Sequence, residues 1–305
     1  MIDVLIIGAG PAGLSAAIYV ERAGKHAACL EAMSVGGQIV NTPEIANYPG
    51  IKATSGFDFS MALYEQATEL GAEVIYEKAV GIRTLESGIK EVTTESGKSY
   101  EARAVIIATG AKNRHLGIDR EEELLGRGVS YCATCDGAFF KGKDVAVNGG
   151  GNTALEDALF LTNYCNKVYI IHRRDEFRGE PKNLEAVKTK DNIEFVLNAT
   201  VNELRGEKSL ESVVVKDKIS GEEREIPVQG LFIAIGQEPD NKDFENVAEL
   251  DAAGYVAADE SCKTKTEGVF VAGDCRTKNV RQLTTAASDG AVAALAACEY
   301  LNQID

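Results

Sequence analysis

The chain is short of basic charge, of proline and of long apolar runs. Its 32 lysines and arginines face 47 aspartates and glutamates, for a formal net charge of -15. That balance argues against nucleic acid or an anionic membrane surface as a partner, since both require basic patches. The longest apolar stretches, Leu5 to Val20 and Gly290 to Ala297, are too short or too interrupted by glycine to span a bilayer. Six prolines against thirty glycines point to tight turns and close backbone approaches, not to disorder. No low-complexity tract is present. A strand pattern starting at Asp3 leaves no room for a signal peptide. Together with an odd count of seven cysteines, this makes a reducing cytoplasm the expected compartment. A length of 305 residues suits two domains of about 150 residues each.

Five of the cysteines, Cys29, Cys165, Cys262, Cys275 and Cys298, are isolated and have no histidine nearby in the sequence. The other two form Tyr131-Cys132-Ala133-Thr134-Cys135-Asp136-Gly137. Two cysteines at this spacing can close a disulfide or open to a dithiol, and proximity helps each sulfur attack or leave. Asp136 adds a proton-carrying group directly beside them. A structural zinc site normally needs a second pair at similar spacing, and none exists here, so the redox reading is favoured over a zinc half-site.

The first unit opens with the buried-strand run Val4-Leu5-Ile6-Ile7, then Gly8-Ala9-Gly10-Pro11-Ala12-Gly13 and an Ala-rich helical stretch to Ala23. A second strand, His26 to Leu30, ends at Glu31, 23 positions after Gly8. Strand, glycine turn, helix and acid all fall where a dinucleotide fold needs them. The glycines let backbone approach a pyrophosphate, and a carboxylate at position 31 can accept from ribose hydroxyls. A polar loop, Gly36-Gly37-Gln38 through Asn47 to Gly50, precedes an amphipathic helix predicted over 55–70. Alternating runs between Val74 and Tyr100 predict an antiparallel meander. The chain then returns to a buried strand, Ala104 to Ala108, ending at Thr109-Gly110.

The same programme then repeats. A strand, Asp144 to Val147, leads into Gly149-Gly150-Gly151-Asn152-Thr153-Ala154 and a helical Leu155 to Thr162, followed by a strand Lys167 to Ile171. A second meander is predicted from Glu194 to Pro227, before Leu231 to Gly236 echoes Ala104 to Gly110. Where the first copy has Glu31, the second has His172, followed by Arg173, Arg174 and Arg178. A carboxylate suits an unmodified ribose, whereas cationic side chains suit a 2′-phosphate, so NADPH is the nucleotide expected in the second fold. The tail returns to the first fold with a strand Gly268 to Ala272, then Gly273-Asp274, Arg281-Gln282 and a small-residue helix from Thr284 to Leu301. An aspartate after such a strand can hold polyol hydroxyls, and a helix N-terminus stabilises negative charge.

The expected architecture is α/β: two Rossmann-like three-layer (ββα) dinucleotide-binding domains, the second inserted in the first. The first comprises 1–112 plus 242–305 and the second, carrying the cysteine pair, 113–241.

These five motifs in this order resemble the low-molecular-weight thioredoxin reductases over essentially the whole chain. The resemblance implies FAD in the first domain, NADPH in the second, a thioredoxin-like small redox protein as partner, and a homodimer. It implies that Cys135 faces the flavin, that Cys132 attacks the partner disulfide and that Asp136 handles protons. It also places Gln38, Asn47 and Thr109 on flavin-contact segments. Asn148, Ala46 and Gly179-Glu180-Pro181 depart from the family pattern. Other readings are a ferredoxin-fed relative, a reductase of a glutaredoxin-like partner, a flavin oxidase, and a non-enzymatic scaffold. The retained Gly149, Gly151 and arginines weigh against the ferredoxin donor, and the length leaves no room for the extra domain an oxidase of this kind usually carries.

Overall fold

The computed structural model describes residues 1–42 and 44–304; Pro43, within the predicted polar loop, and Asp305 lie outside the described residues. The chain divides into two compact units, Met1–Lys112 with Glu238–Asp305, and Asn113–Gln237 between them. The segments joining them, Ala111–Asn113 and Gln237–Pro239, pair as two short strands. The sequence pattern places the second crossing after Asn241; here it falls after Gln237. The reason is Asn241 itself, which is buried in the first unit. Its side chain donates to the carbonyls of Gly254 and Cys275 and accepts from the Thr109 hydroxyl at 2.8 Å.

In the first unit, strands Glu73–Tyr76, Ala27–Glu31, Ile2–Ile7 and Ser99–Ile107 lie parallel in that order. Val269–Val271 adds a further parallel strand on the second half of Ser99–Ile107, and antiparallel Lys90–Thr94 and Ala79–Thr84 continue from its first half. Strand alternation sorts the opening run. Val4 and Ile6 face a helical layer made by Pro11–Arg22 and Leu283–Ile304, while Leu5 and Ile7 pack with Ile82, Val92, Phe244 and Val256 on the other side. A strand covered on both faces is apolar at every position, which is why Val4 to Ile7 reads as a continuous run.

The second unit repeats the design. Strands Ile193–Val196, Lys167–Ile171, Asp144–Asn148, Gly230–Ile233 and Val129–Ser130 form a parallel sheet in that order. Val145 and Val147 face the helix Asn152–Leu161, and Ala146 faces the meander Ala199–Arg205, Ser212–Asp217 and Glu223–Pro227.

Both predicted meanders claim one strand too many. Glu73–Tyr76 and Ile193–Val196 are parallel outer strands of the main sheets, each reached through a helix, Gly56–Glu69 and Pro181–Lys188. Four-residue apolar runs carry no periodic signal that tells a parallel from an antiparallel partner.

Helix and glycine turn meet with no space to spare. A Cβ on Gly13 would lie 1.9 Å from the carbonyl oxygen of Gly8, and one on Gly290 would lie 2.1 Å from that of Ala12. Glycine at these positions is what lets the first helix, the first strand and the long C-terminal helix touch backbone to backbone. Replacing Gly290 by Ala is expected to destabilise the protein by about 1–3 kcal/mol, the cost of overpacking a closed interface. Urea unfolding of the variant measures it, and an unchanged midpoint would show that the two helices part freely.

Candidate active site

The cysteine pair sits where a buried strand becomes a short helix. Val129–Ser130 ends the parallel sheet, Cys132 is extended, and Ala133–Asp136 forms one helical turn. Cys132 and Cys135 are joined as a disulfide with Cα atoms 5.3 Å apart. The turn is held from below, with Ala133 and Phe140 buried among Val145, Leu161 and Phe232. The sulfurs are thus pinned to the second unit's sheet while remaining part-exposed.

Polar contacts fix the turn on both sides. The Ser130 hydroxyl donates to Asp136 Oδ2 at 2.6 Å and accepts from the Cys132 amide at 3.0 Å. Burial pushes the Asp136 carboxyl above the usual range, and the Ser130 hydroxyl opposes the rise. The Tyr131 hydroxyl donates to Glu121 Oε1 at 2.6 Å and lies 2.9 Å from His115 Nδ1. Glu121 is buried and also accepts from the amides of Leu116 and Gly117, so it staples residues 115–117 to the redox turn. Sequence reasoning missed Ser130 and Glu121. Ser130 carried a signal, a hydroxyl two residues before the pair; Glu121 carried none.

The other five thiols are buried. Burial pushes Cys29 and Cys262 up to about 12 and Cys165 up to about 11. Since the thiolate is the nucleophile, these sulfurs are inert at neutral pH. Among the described residues no three His, Cys, Asp or Glu side chains gather as a metal-binding group, and no helix is long and apolar enough to cross a membrane.

In the first unit the glycine turn leaves open space at the helix start. Gly8 has φ +108°, a left-handed conformation that suits glycine, and a Cβ on Gly10 would meet nothing within 4 Å. Helix Pro11–Arg22 starts at Gly10 with no side-chain cap, which leaves backbone N–H groups available to an anion. The predicted loop folds over this point: Gly36 donates to Ala9 O, and a Cβ on Gly37 would lie 3.5 Å from Gly10 Cα. Gln38 Nε2 donates to Ala111 O. Glu31 is buried and accepts from the amides of Ala9 at 2.8 Å and Met33 at 2.9 Å, and so braces the glycine turn. Asn47 donates to Gln282 across 235 residues of chain, at 3.3 Å. Gly110, φ +70°, follows Thr109 out of the sheet.

Gly273 packs on this same turn, since a Cβ there would lie 2.7 Å from that of Ala12. Asp274 follows it with Oδ1 buried and without a hydrogen-bond partner, and its carboxyl is pushed up chiefly by burial. A buried acceptor left unmet is costly, and a hydroxyl-bearing ligand answers it. Arg281 donates to the carbonyls of Asp274 and Arg276 and stacks 4.0 Å over Tyr255. Beneath the loop, Asp289 accepts from Gly273 N at 3.0 Å, Arg276 Nε at 2.8 Å and Lys278 Nζ at 2.8 Å. This buried ion group was also missed; its only mark in the sequence is a lone aspartate inside a small-residue helix. An open glycine turn, an uncapped helix start and an unmet acceptor fit FAD.

In the second unit Gly149 approaches Ala234 O so closely that a Cβ would lie 2.3 Å away, while Gly151 faces open space at the uncapped start of Asn152–Leu161. Asn152 accepts from Glu180 N at 2.6 Å, Thr153 is exposed, and Ala154 is buried against Gly149. The Arg178 amide donates to Gly150 O, which joins the arginine segment to the glycine turn. Arg173, Arg174 and Arg178 are exposed around it. His172 is different. It is buried, its ring stacks on Phe177 at 5.0 Å behind Gly150, and burial lowers its pKa. A neutral floor with three exposed arginines, interspersed with the exposed acids Asp175 and Glu176, is the arrangement here, and the arginines fit an NADPH phosphate.

Two nucleotide folds with a dithiol–disulfide turn on one of them define an oxidoreductase that exchanges electrons with disulfides. The chain belongs to the pyridine nucleotide-disulphide oxidoreductase family, whose model matches residues 2–290. It is 46% identical over 310 residues to a thioredoxin reductase of Helicobacter pylori, covering 99% of both chains. It is 42% identical over 304 residues to the thioredoxin reductase of Bacillus subtilis, covering 99% of this chain and 95% of the relative. A Mycobacterium leprae relative described as a bifunctional thioredoxin reductase/thioredoxin is 42% identical, this chain spanning 66% of it. Among solved structures, the thioredoxin reductase of Streptococcus pyogenes matches with a TM-score of 0.94 at 39% identity, over 99% of each chain.

Burial should sort the seven sulfurs in a labelling experiment. Maleimide is expected to modify none of them in the folded, oxidised protein, Cys132 and Cys135 after mild reduction, and the remaining five only on unfolding. Peptide mass spectrometry reads the order, and early labelling of Cys29 or Cys262 would contradict it.

Proposed function

We propose that the protein is an NADPH-dependent thioredoxin-disulfide reductase. The observation that carries this reading is the Cys132–Cys135 disulfide beside a half-buried Asp136, on a nucleotide fold. It is supported by full-length likeness to proteins described as thioredoxin reductases. FAD, held by the glycine turn at 8–13, Glu31 and Asp274, and NADPH, held by the turn at 149–154 and the arginine rim, supply the two-electron chemistry when bound. The rim supports NADPH over ferredoxin as donor.

The protein's own groups perform the exchange. With the pair reduced, the Cys132 thiolate attacks one sulfur of the thioredoxin disulfide, and the other thioredoxin sulfur leaves. Cys135 then attacks Cys132, expels the second thioredoxin sulfur and closes the Cys132–Cys135 bond. Asp136, its pKa raised by burial, is the group placed to give a proton to a departing thiolate and recover one from solvent. The same reading includes a homodimer and a cytoplasmic setting; the family likeness supports the first, and the reducing conditions that an open dithiol requires support the second.

Cys135→Ser should leave NADPH oxidation by the flavin intact in a stopped-flow trace and abolish thioredoxin reduction. Persistent turnover would overturn the assignment of the pair. Separately, Arg173→Ala with Arg174→Ala should cut the NADPH preference over NADH by about a hundredfold or more, because each lost charge-assisted contact is worth about 1.5–3 kcal/mol. The ratio of kcat/KM for the two coenzymes measures this, and an unchanged ratio would remove both arginines from the site.

A further inference from the structure

Ser130 is two residues from the redox pair, 3% exposed, and bonded to both working ends of the turn. Its hydroxyl donates to Asp136 Oδ2 at 2.6 Å, the shorter of two acceptors beside Cys132 O at 3.4 Å, while its oxygen receives the Cys132 amide at 3.0 Å. We infer that Ser130 is the positioning residue of the proton-transfer step: it sets the proton affinity of Asp136 and ties that carboxyl to the backbone of the attacking cysteine. This rests on the reading of Asp136 as the proton carrier.

The surroundings isolate the effect. The strand beside Ser130, Gly230–Ile233, contributes only Gly, Leu, Phe and Ile. The helix Asn152–Leu161, packed on Ala133–Asp136, carries Glu156 and Asp157, and neither is among the causes of the Asp136 shift. Tyr131 turns to Glu121 and His115 instead. The Asp136 carboxyl therefore has two governing influences, burial raising its pKa and the Ser130 hydroxyl lowering it. A donor bonded to a carboxylate favours the ionised form. When Asp136 passes its proton to a departing thiolate, that sulfur becomes a thiol and Asp136 a carboxylate, which Ser130 holds until solvent returns a proton. Without the hydroxyl the carboxyl would keep its proton to higher pH and release it less readily.

The test is a carboxyl ¹³C NMR titration of the full-length holoenzyme with labelled aspartate, the Asp136 signal being identified by its loss in Asp136→Asn. Ser130→Ala, which removes a hydroxyl and adds no bulk, is expected to raise the Asp136 midpoint by about one to two pH units, a ten- to hundredfold gain in proton affinity. Ser130→Thr, which keeps the hydroxyl, should restore it. A midpoint unmoved in Ser130→Ala overturns the proposal. The underlying reading is judged apart from it, by the pH profile of NADPH-driven thioredoxin reduction. If Asp136→Asn removes no limb of that profile, Asp136 is not the proton carrier, whatever the titration shows. If it removes one, the same limb should move to higher pH in Ser130→Ala.

Discussion

Close backbone approach at glycine is the constraint on which both units rest. Gly13 against Gly8 O, Gly290 against Ala12 O and Gly149 against Ala234 O leave no room for a Cβ. A strand, a turn and a helix can then meet at their backbones, and the glycine just before each helix, Gly10 or Gly151, is left facing open space. The same contacts that seal the core thus produce an uncapped helix start with unmet N–H groups, the feature a pyrophosphate needs. Packing and binding are one consequence of the same missing side chains.

Burial then assigns chemistry to otherwise similar groups. Seven cysteines share one intrinsic reactivity, but desolvation holds the buried ones as thiols and leaves only the pair at the strand end to exchange. It works likewise on acids and bases. Asp136 and Asp274 are pushed toward their protonated forms and His172 toward its neutral one. Asp289, though buried, is held below the usual range because Arg276 and Lys278 answer its charge. A buried charge without partners would be costly; here the pairing also fixes the loop that carries Asp274.

Much of this was legible in the sequence, and the reason is locality. A strand run, a glycine turn and a helix start are contiguous, so two Rossmann-like folds can be read from Val4 to Glu31 and from Asp144 to Ile171. Two cysteines three positions apart must be near each other, and three arginines after a strand must crowd its end. The motif Gly273-Asp274 was readable because it repeats a strand-end pattern.

What only the tertiary structure decided depends on residues far apart in the chain or on the collective exclusion of water. Nothing in the local pattern says that Asn47 meets Gln282, that Thr109 meets Asn241, or that Glu121 reaches Tyr131. The parallel pairing of Glu73–Tyr76 and Ile193–Val196 depends on the helices that deliver them, not on their own four residues. His172 reads as one more cation beside three arginines, yet the fold turns its ring inward behind Gly150 and keeps it neutral. Sequence determines which groups are present and which of them are neighbours along the backbone. Charge state and long-range partnership are set by burial, which no residue carries alone.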